Sequence, residues 1–537
     1  MPQTSAADAA QVITAERLLD HIKTLASDEF EGRKPGTVGE TKSVEYLMHE
    51  CKKMELGLGD WMGGYLQKMP VTGVRAEANL RFAAGKDELK LSWLSDYVVR
   101  SGHERESTLV NDSDVVFVGY GIVAPEYGWD DYKGLDVKGK TVIMLIGDPR
   151  RRHASDAERF DESFFKGHAL TYYGRWTYKY EIAFEKGANA VLIVHDTERA
   201  GYGFDVVQSS WGGENLFLSA DQNRCDVEGW LTHESAQKLF SLAGKNFAAL
   251  KEAAQTPEFK PVELGVKTTI GVKNKLHKFI TANVVAKIEG SDPKLKDEAI
   301  IYCAHWDHFG KVVDDKGNVI GIYSGAADNA SGVATVLEVA RAFSALPEPP
   351  KRTVYFLFTT LEESGLLGAR FYVQNPAVPL EKTLAIINFD SLNMWGRTRK
   401  FVSIAQGHSS LDEVLARHAA AQSREIVSDS VPEKGYFFRS DHLEFLRKGV
   451  PALFALDPGT DYIGKPANFA REKREYYLKN DYHKFSDKVK PDWDLSGLVD
   501  DAQLMFLVGL EIANGDRYPE WNSNSEFRVE RGSVVAR

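Results

Sequence analysis

From residue 299 to residue 513 short apolar runs alternate with stretches of helical periodicity, and that rhythm restricts the fold more than any other feature. Ala299–Cys303, Thr353–Thr359, Leu384–Phe389 and Ala452–Leu456 read as buried strands. Between and after them, Val333, Val336, Leu337 and Ala340 share one helical face, Gly365–Val373 and Leu411–Ala421 read as helices, and Leu495–Ala513 makes a long last helix. Strands separated by helices do not pair as hairpins; they align in parallel and need helices on both sides to bury both faces. The expected fold is therefore α/β, with a mixed, mainly parallel sheet sandwiched by helices.

The N-terminal segment has the same character. Leu18, Leu19, Ile22 and Leu25 fall on one face of a helix over 15–25, with Thr14 as its N-cap, and 42–51 continues in that style. From about Val71 the pattern changes to short runs broken by Gly, Asn and Asp: Ala78–Phe82, Leu89–Leu94, Val115–Val118 and Thr141–Ile146. A helix over 180–186 and a buried strand ending at His195 follow. The organisation predicted is a domain begun in 1–70, interrupted by a β-rich insert over 71–275, and completed by 276–537.

Ligands in open α/β sheets bind beyond the carboxyl ends of the strands, and the reactive side chains of this sequence sit there. His305, Asp307 and His308 follow the first strand, Glu362 and Glu363 the second, and Asp390 the third. Asp328 stands in the glycine-rich loop SGAADNASG before a helix, and His483 lies in YHKFSD near the C-terminus. Imidazole and carboxylate without thiolate suit zinc, manganese or cobalt. Two histidines and three carboxylates exceed the three protein ligands of a mononuclear catalytic zinc, so the count points to two ions sharing one carboxylate. Of the adjacent Glu362 and Glu363, one can bind metal while the other faces water as a base. Asp307 is placed to lie behind His305 and hold its second nitrogen. Taken singly, each has a plainer reading: a helix cap for Asp328 or Asp390, a solvated face for the glutamate pair.

These residues, in this order, resemble peptidase family M28, the di-zinc metallopeptidases. The similar stretches are AHWDHFG (304–310), SGAADNASG (324–332), TTLEESGLLGARFYV (359–373), INFDSLN (387–393), RSDHLEFLRKGVPALF (439–454) and NDYHKFSD (480–487), with LASDEFEGRKPGTVGE (25–40) at the start. The insert, through VFVGYGI, DVKGKTVIML and KYEIAFEKGANAVLIVHD, is similar to a protease-associated domain. The resemblance implies the zinc exopeptidase fold. It implies two Zn2+ ions, with Co2+ or Mn2+ as substitutes: His305 and Asp390 on one ion, Glu363 and His483 on the other, Asp328 bridging. It implies Glu362 as general base, Asp307 orienting His305, and Tyr482 polarising the scissile carbonyl. Many relatives have an acidic residue before the bridging Asp, where this chain has Ala327; that departure is not at a ligand.

The activity implied is that of an exopeptidase on peptide substrates, most simply an aminopeptidase. A carboxypeptidase or dipeptidase has the same ligand set. A receptor-like binding protein expects missing ligands, and all five are present here. Ser440-Asp441-His442 looks like a triad, but Asp441 with Glu444 fits a helix capping box and Gly449 its end, which leaves His442 as a pocket wall touching substrate. A net charge of −11 argues against nucleic acid as the partner. No apolar run spans a bilayer, and the three cysteines cannot all pair within the chain. The polar start lacks a signal peptide; the resemblance implies export with the signal removed, and a cytoplasmic start fits the same residues.

Overall fold

The strand Ala299–His305 is buried at all seven positions, so both of its faces need cover. Ile300, Tyr302 and Ala304 enter one core with Val333, Val336, Leu337 and Ala340, the helical face expected. Thr353–Thr359 and Thr383–Phe389 flank this strand in parallel, and Ala452–Ala455 extends the sheet beyond Thr383–Phe389. The 284–288 end of the strand Val262–Ile288 closes the other side, antiparallel to Thr353–Thr359. The helix Ser331–Ser344 packs against Ala15–Leu25 and Ser496–Asn514, while Leu367–Gln374 packs against His442–Leu446, which in turn contacts the strands Thr383–Phe389 and Ala452–Ala455. The result is the mixed, mainly parallel sheet between helices that the sequence predicts. Because the central strands are parallel, His305, Thr359 and Phe389 end on the same edge of the sheet.

This computed structural model describes residues 5–59, 63–219, 223–456, 461–523 and 525–528; the first four residues of the polar start lie outside them. Its contacts divide the chain into two units, one of Met1–Met69, Ile280–Ser430 and Arg439–Arg537, the other of Pro70–Phe279 and Val431–Phe438. In the second unit, Val227–Leu231, Ala190–Val194, Thr141–Leu145 and the 115–117 end of Ser107–Phe117 run parallel. Antiparallel neighbours lie on both sides, Tyr97–Ser101 beside Val227–Leu231 and the 262–273 stretch of Val262–Ile288 beside Ser107–Phe117. The insert is more helical than its sequence suggested. Beside Trp176–Glu185, which covers most of the helix expected over 180–186, Phe204–Gly212, His233–Leu242 and Phe247–Ala253 are helices, of 10 residues or fewer, too short for a 3.6-residue period to stand out between apolar strands.

Among the described residues no helix is long and apolar enough to cross a membrane. Cys51, Cys225 and Cys303 are buried and unpaired.

The long last helix is fitted to the sheet through one glycine. The fully buried Tyr302 donates its hydroxyl to Met505 O at 2.9 Å, and a Cβ on Gly509 would stand 1.8 Å from that hydroxyl. Gly509→Ala is therefore expected to destabilise the protein by about 1–3 kcal/mol, the usual cost of overpacking a core, despite alanine's better helix propensity. A thermal melt equal to or above that of the wild type would contradict this packing.

Candidate metal centre

Each candidate side chain is carried to one place by the end of a different element. His305 is the last residue of its strand. Glu362 and Glu363 lie in the turn after Thr353–Thr359, and Asp390 directly follows Thr383–Phe389. Asp328 precedes the helix Ser331–Ser344 in a loop bent by Gly325 at φ +53°, where a Cβ would stand 2.2 Å from Asp328 O. His483 follows the helix Phe469–Asn480. Leu361, Ser391 and His483 all have positive φ, a conformation costing a non-glycine residue of order 1–3 kcal/mol and common at functional sites.

The five predicted ligands converge. His305 Nε2 lies 3.4 Å from Asp328 Oδ1, 3.5 Å from Asp390 Oδ1 and 3.9 Å from Glu362 Oε2. His483 Nε2 lies 3.2 Å from Asp328 Oδ2 and 3.3 Å from Glu363 Oε2. Asp328 thus turns one oxygen to each imidazole. Two groupings of potential ligand atoms result, His305 with Glu362 and Asp390, and His305 with Asp328 and Glu363.

These spacings test whether a metal suits the residues. A charge-assisted hydrogen bond draws N and O to about 2.7–2.9 Å. Two ligands on one tetrahedral zinc, at bond lengths of about 2.0–2.2 Å, stand about 3.4 Å apart. Four of the five separations fall between 3.2 and 3.5 Å, and the buried His305 Nε2 has no hydrogen-bond partner. The donor set fits divalent cations better than it fits internal ion pairs.

The electrostatics agree. Burial, then the neighbouring carboxylates, push Glu362 and Glu363 well above the usual carboxylate range, against the pull of His305 and His483. Burial opposes ionisation of Asp328 too, but its contacts with His305 and His483 outweigh it and hold the group well below its ordinary value. Burial disfavours charge on His305, yet Glu362 and the other carboxylates keep it well above its usual value. Crowded buried carboxylates of this kind call for a cation.

The surrounding side chains hold the ligands. Asp307 Oδ1 accepts the Glu362 N–H at 3.1 Å, while His305 Nδ1 meets the Asp307 backbone carbonyl at 3.2 Å and its carboxylate only at 3.7 Å. Asp307 therefore ties the His305 loop to the glutamate pair as well as lying behind the imidazole. Tyr482 stacks on His483 with ring centroids 3.8 Å apart; burial, with Asp328 and Glu363 nearby, raises its phenol well above the usual value, so it stays a hydrogen-bond donor. His442 is wholly buried and stacked on Phe454, which leaves no face of it open to a substrate.

Three further residues escaped the sequence reading or were set aside by it. His308 places Nδ1 2.5 Å from Glu363 Oε1, and burial drives its pKa down to about 3, which keeps it neutral. Asp487, the last residue of YHKFSD, accepts the N–H groups of Ala327 and Asp328 at 3.0 and 3.1 Å. Arg33 donates to Trp306 O in the His305 loop and to Ser324 O and Gly325 O in the Asp328 loop. The only signal for His308 was a second histidine after HxD; Asp487 and Arg33 lay inside stretches singled out for other residues. The capping box at Asp441 is corrected. The Asp441 side chain makes no cap to the five-residue helix His442–Leu446 but takes the hydroxyl of Thr359, and Glu444 pairs with Arg370 and Arg447.

Comparison with known proteins bears on the same residues. Residues 283–507 match peptidase family M28. Probable leucine aminopeptidase 2 of Aspergillus oryzae is 28% identical over 351 residues, 64% of this chain and 63% of that protein. Leupeptin-inactivating enzyme 1 of Streptomyces exfoliatus is 29% identical over 183 residues, 34% of this chain and 36% of that protein. The chain thus spans less than two thirds of the length of these relatives. The structure of an aminopeptidase from Aneurinibacillus sp. strain AM-1 aligns over 94% of this chain and 96% of its own with a TM-score of 0.51, at 19% identity, a likeness of fold. The matched segment contains all five predicted ligands, Glu362 and Tyr482, and it is over residues 283–507 that this chain is similar to peptidase family M28.

Proposed function

We propose that the protein is a zinc-dependent exopeptidase, most simply an aminopeptidase, that hydrolyses peptide bonds at the centre formed by His305, Asp328, Glu363, Asp390 and His483. The observation that carries the reading is Asp328, whose two oxygens face two different imidazoles at 3.4 and 3.2 Å, as a carboxylate shared by two ions must. His305 and Asp390 would hold one zinc, Glu363 and His483 the other. Bound there, the ions would supply Lewis acidity and shift the ionisation of water toward neutral pH. Glu362 takes the proton of the attacking water and returns it to the leaving amine. Tyr482 donates its hydroxyl to the carbonyl oxygen as that atom gains charge. Asp307 keeps Glu362 in place through the backbone N–H it accepts. The insert over 71–275 is read in the same proposal as carrying a protease-associated module, and the protein as exported, which fractionation of the native cells tests.

Free and N-acetylated dipeptides and aminoacyl chromogens, assayed with chelator and with added zinc, test the function. Cleavage of the free-amine substrates alone, lost on chelation and restored by zinc, is expected. Cleavage of N-acylated substrates would make the enzyme a carboxypeptidase. No cleavage with zinc bound would leave a binding protein.

A further inference from the structure

Arg33 is nearly wholly buried, with 1% of its surface exposed. Its guanidinium meets four backbone carbonyls. Nε donates to Trp306 O at 2.9 Å, one terminal nitrogen to Leu25 O at 2.8 Å and Ser324 O at 2.6 Å, and the other to Gly325 O at 2.9 Å. Trp306 lies between His305 and Asp307, and Ser324 and Gly325 lead to Asp328. One side chain from the N-terminal segment therefore joins two loops that are adjacent to different ligands and separated by 18 residues.

The backbone around it is shaped for the same contact. Arg33 O accepts the His308 N–H at 3.3 Å, and Gly32 O accepts the Gly310 N–H at 2.9 Å. Arg33 has φ +52°. At Gly32 a Cβ would stand 2.5 Å from Gly310 O and 2.6 Å from Tyr323 O, so only glycine allows the approach. Arginine is the residue this arrangement needs: its rigid fork of five donors can satisfy several carbonyls at fixed angles, which a flexible ammonium does not. Burial lowers the guanidinium to about 10, with Asp487, Asp328, Asp307 and Glu363 opposing the shift, so it is charged at neutral pH.

We propose that Arg33 is a positioning residue of the metal centre, clamping the His305 loop and the Asp328 loop at the separation that lets both side chains reach the same ion. The clamp acts through backbone, without touching metal or substrate. It also means that a segment preceding the 210-residue second-unit stretch sets the affinity of a site built after it. The inference rests on the metal reading proposed above.

Two mechanisms make opposite predictions. A positive charge near the site repels a divalent cation, so if charge were the main effect its removal would tighten binding. If the clamp is the main effect, losing the fork loosens binding whether or not charge is kept. Zinc affinity is measured by chelator competition on wild type, Arg33→Lys and Arg33→Met, together with the thermal melt of each metal-free protein and the split of any activity loss between kcat and KM. Both variants are expected to bind zinc about 10–100-fold more weakly, the usual effect of losing a residue that holds ligands in place, with the loss of activity falling on kcat at subsaturating zinc. Arg33→Lys at wild-type affinity, or Arg33→Met binding more tightly, overturns the clamp. So does a Lys variant that fails to fold even with zinc, since the role is then structural alone. Wild-type protein that binds no zinc in the same titration counts against the metal reading itself, a result distinct from any of these.

Discussion

Glu362→Gln is expected to retain both zinc ions and to lower kcat by about 10²–10⁴-fold, the contribution of a positioned general base. That range corresponds to roughly 3–5 kcal/mol of transition-state stabilisation. The amide keeps the size of the carboxylate, and the Asp307 bond to the Glu362 backbone N–H survives the change, so geometry is preserved while the proton acceptor is lost. The variant also decides a point that distances alone leave open. Glu362 groups with His305 and Asp390 closely enough to be a ligand, whereas the proposed mechanism makes Glu363 the ligand and Glu362 the base. Zinc content measured beside kcat separates the two. A Gln variant that binds one ion fewer makes Glu362 a ligand; one with full turnover removes it from the chemistry. Glu363→Gln supplies the contrast, with loss of metal as well as of rate.

Four of the five predicted ligands share one property, that each follows a strand or precedes a helix whose periodicity is visible locally; His483, after the helix Phe469–Asn480, stands out only through the stretch NDYHKFSD. His305, Glu363 and Asp390 are found by asking what comes after an apolar run, and the same runs specify the parallel sheet, because a strand buried at every position needs helices on both faces. What was missed depends on distance along the chain. Arg33 acts on Trp306, 273 positions away, and His308 acts on Glu363, 55 positions away; no periodicity encodes either pairing. Asp441 shows the opposite failure. Its local pattern matched a capping box, yet the buried Thr359 hydroxyl, 82 residues away, took the carboxylate instead. A five-residue helix has little to gain from a cap, so the tertiary partner prevailed. Nothing local to His442 announces Phe454, on which it stacks, so the sequence alone leaves it as a pocket wall.

Asp328→Ala is expected to empty the centre, whereas Asp390→Ala is expected to keep about one zinc per chain. The difference follows from ligand counting. With Asp328 shared, each ion has three protein ligands, the number a catalytic zinc ordinarily has. Loss of Asp328 leaves two on each ion; loss of Asp390 leaves two on one and three on the other. The loop itself should survive, since Asp487 accepts the N–H groups of residues 327 and 328 whatever side chain stands at 328. The imidazoles would lose the carboxylate that both face at 3.4 and 3.2 Å, so some loss of metal-free stability is also expected, readable as a lower melting temperature in chelator. Zinc per folded chain, measured after equilibration in a zinc buffer, is the deciding quantity. If Asp328→Ala keeps two ions, Asp328 does not bridge. If both variants keep one, each aspartate serves a single ion, and the shared-carboxylate arrangement that carries the functional proposal fails with it.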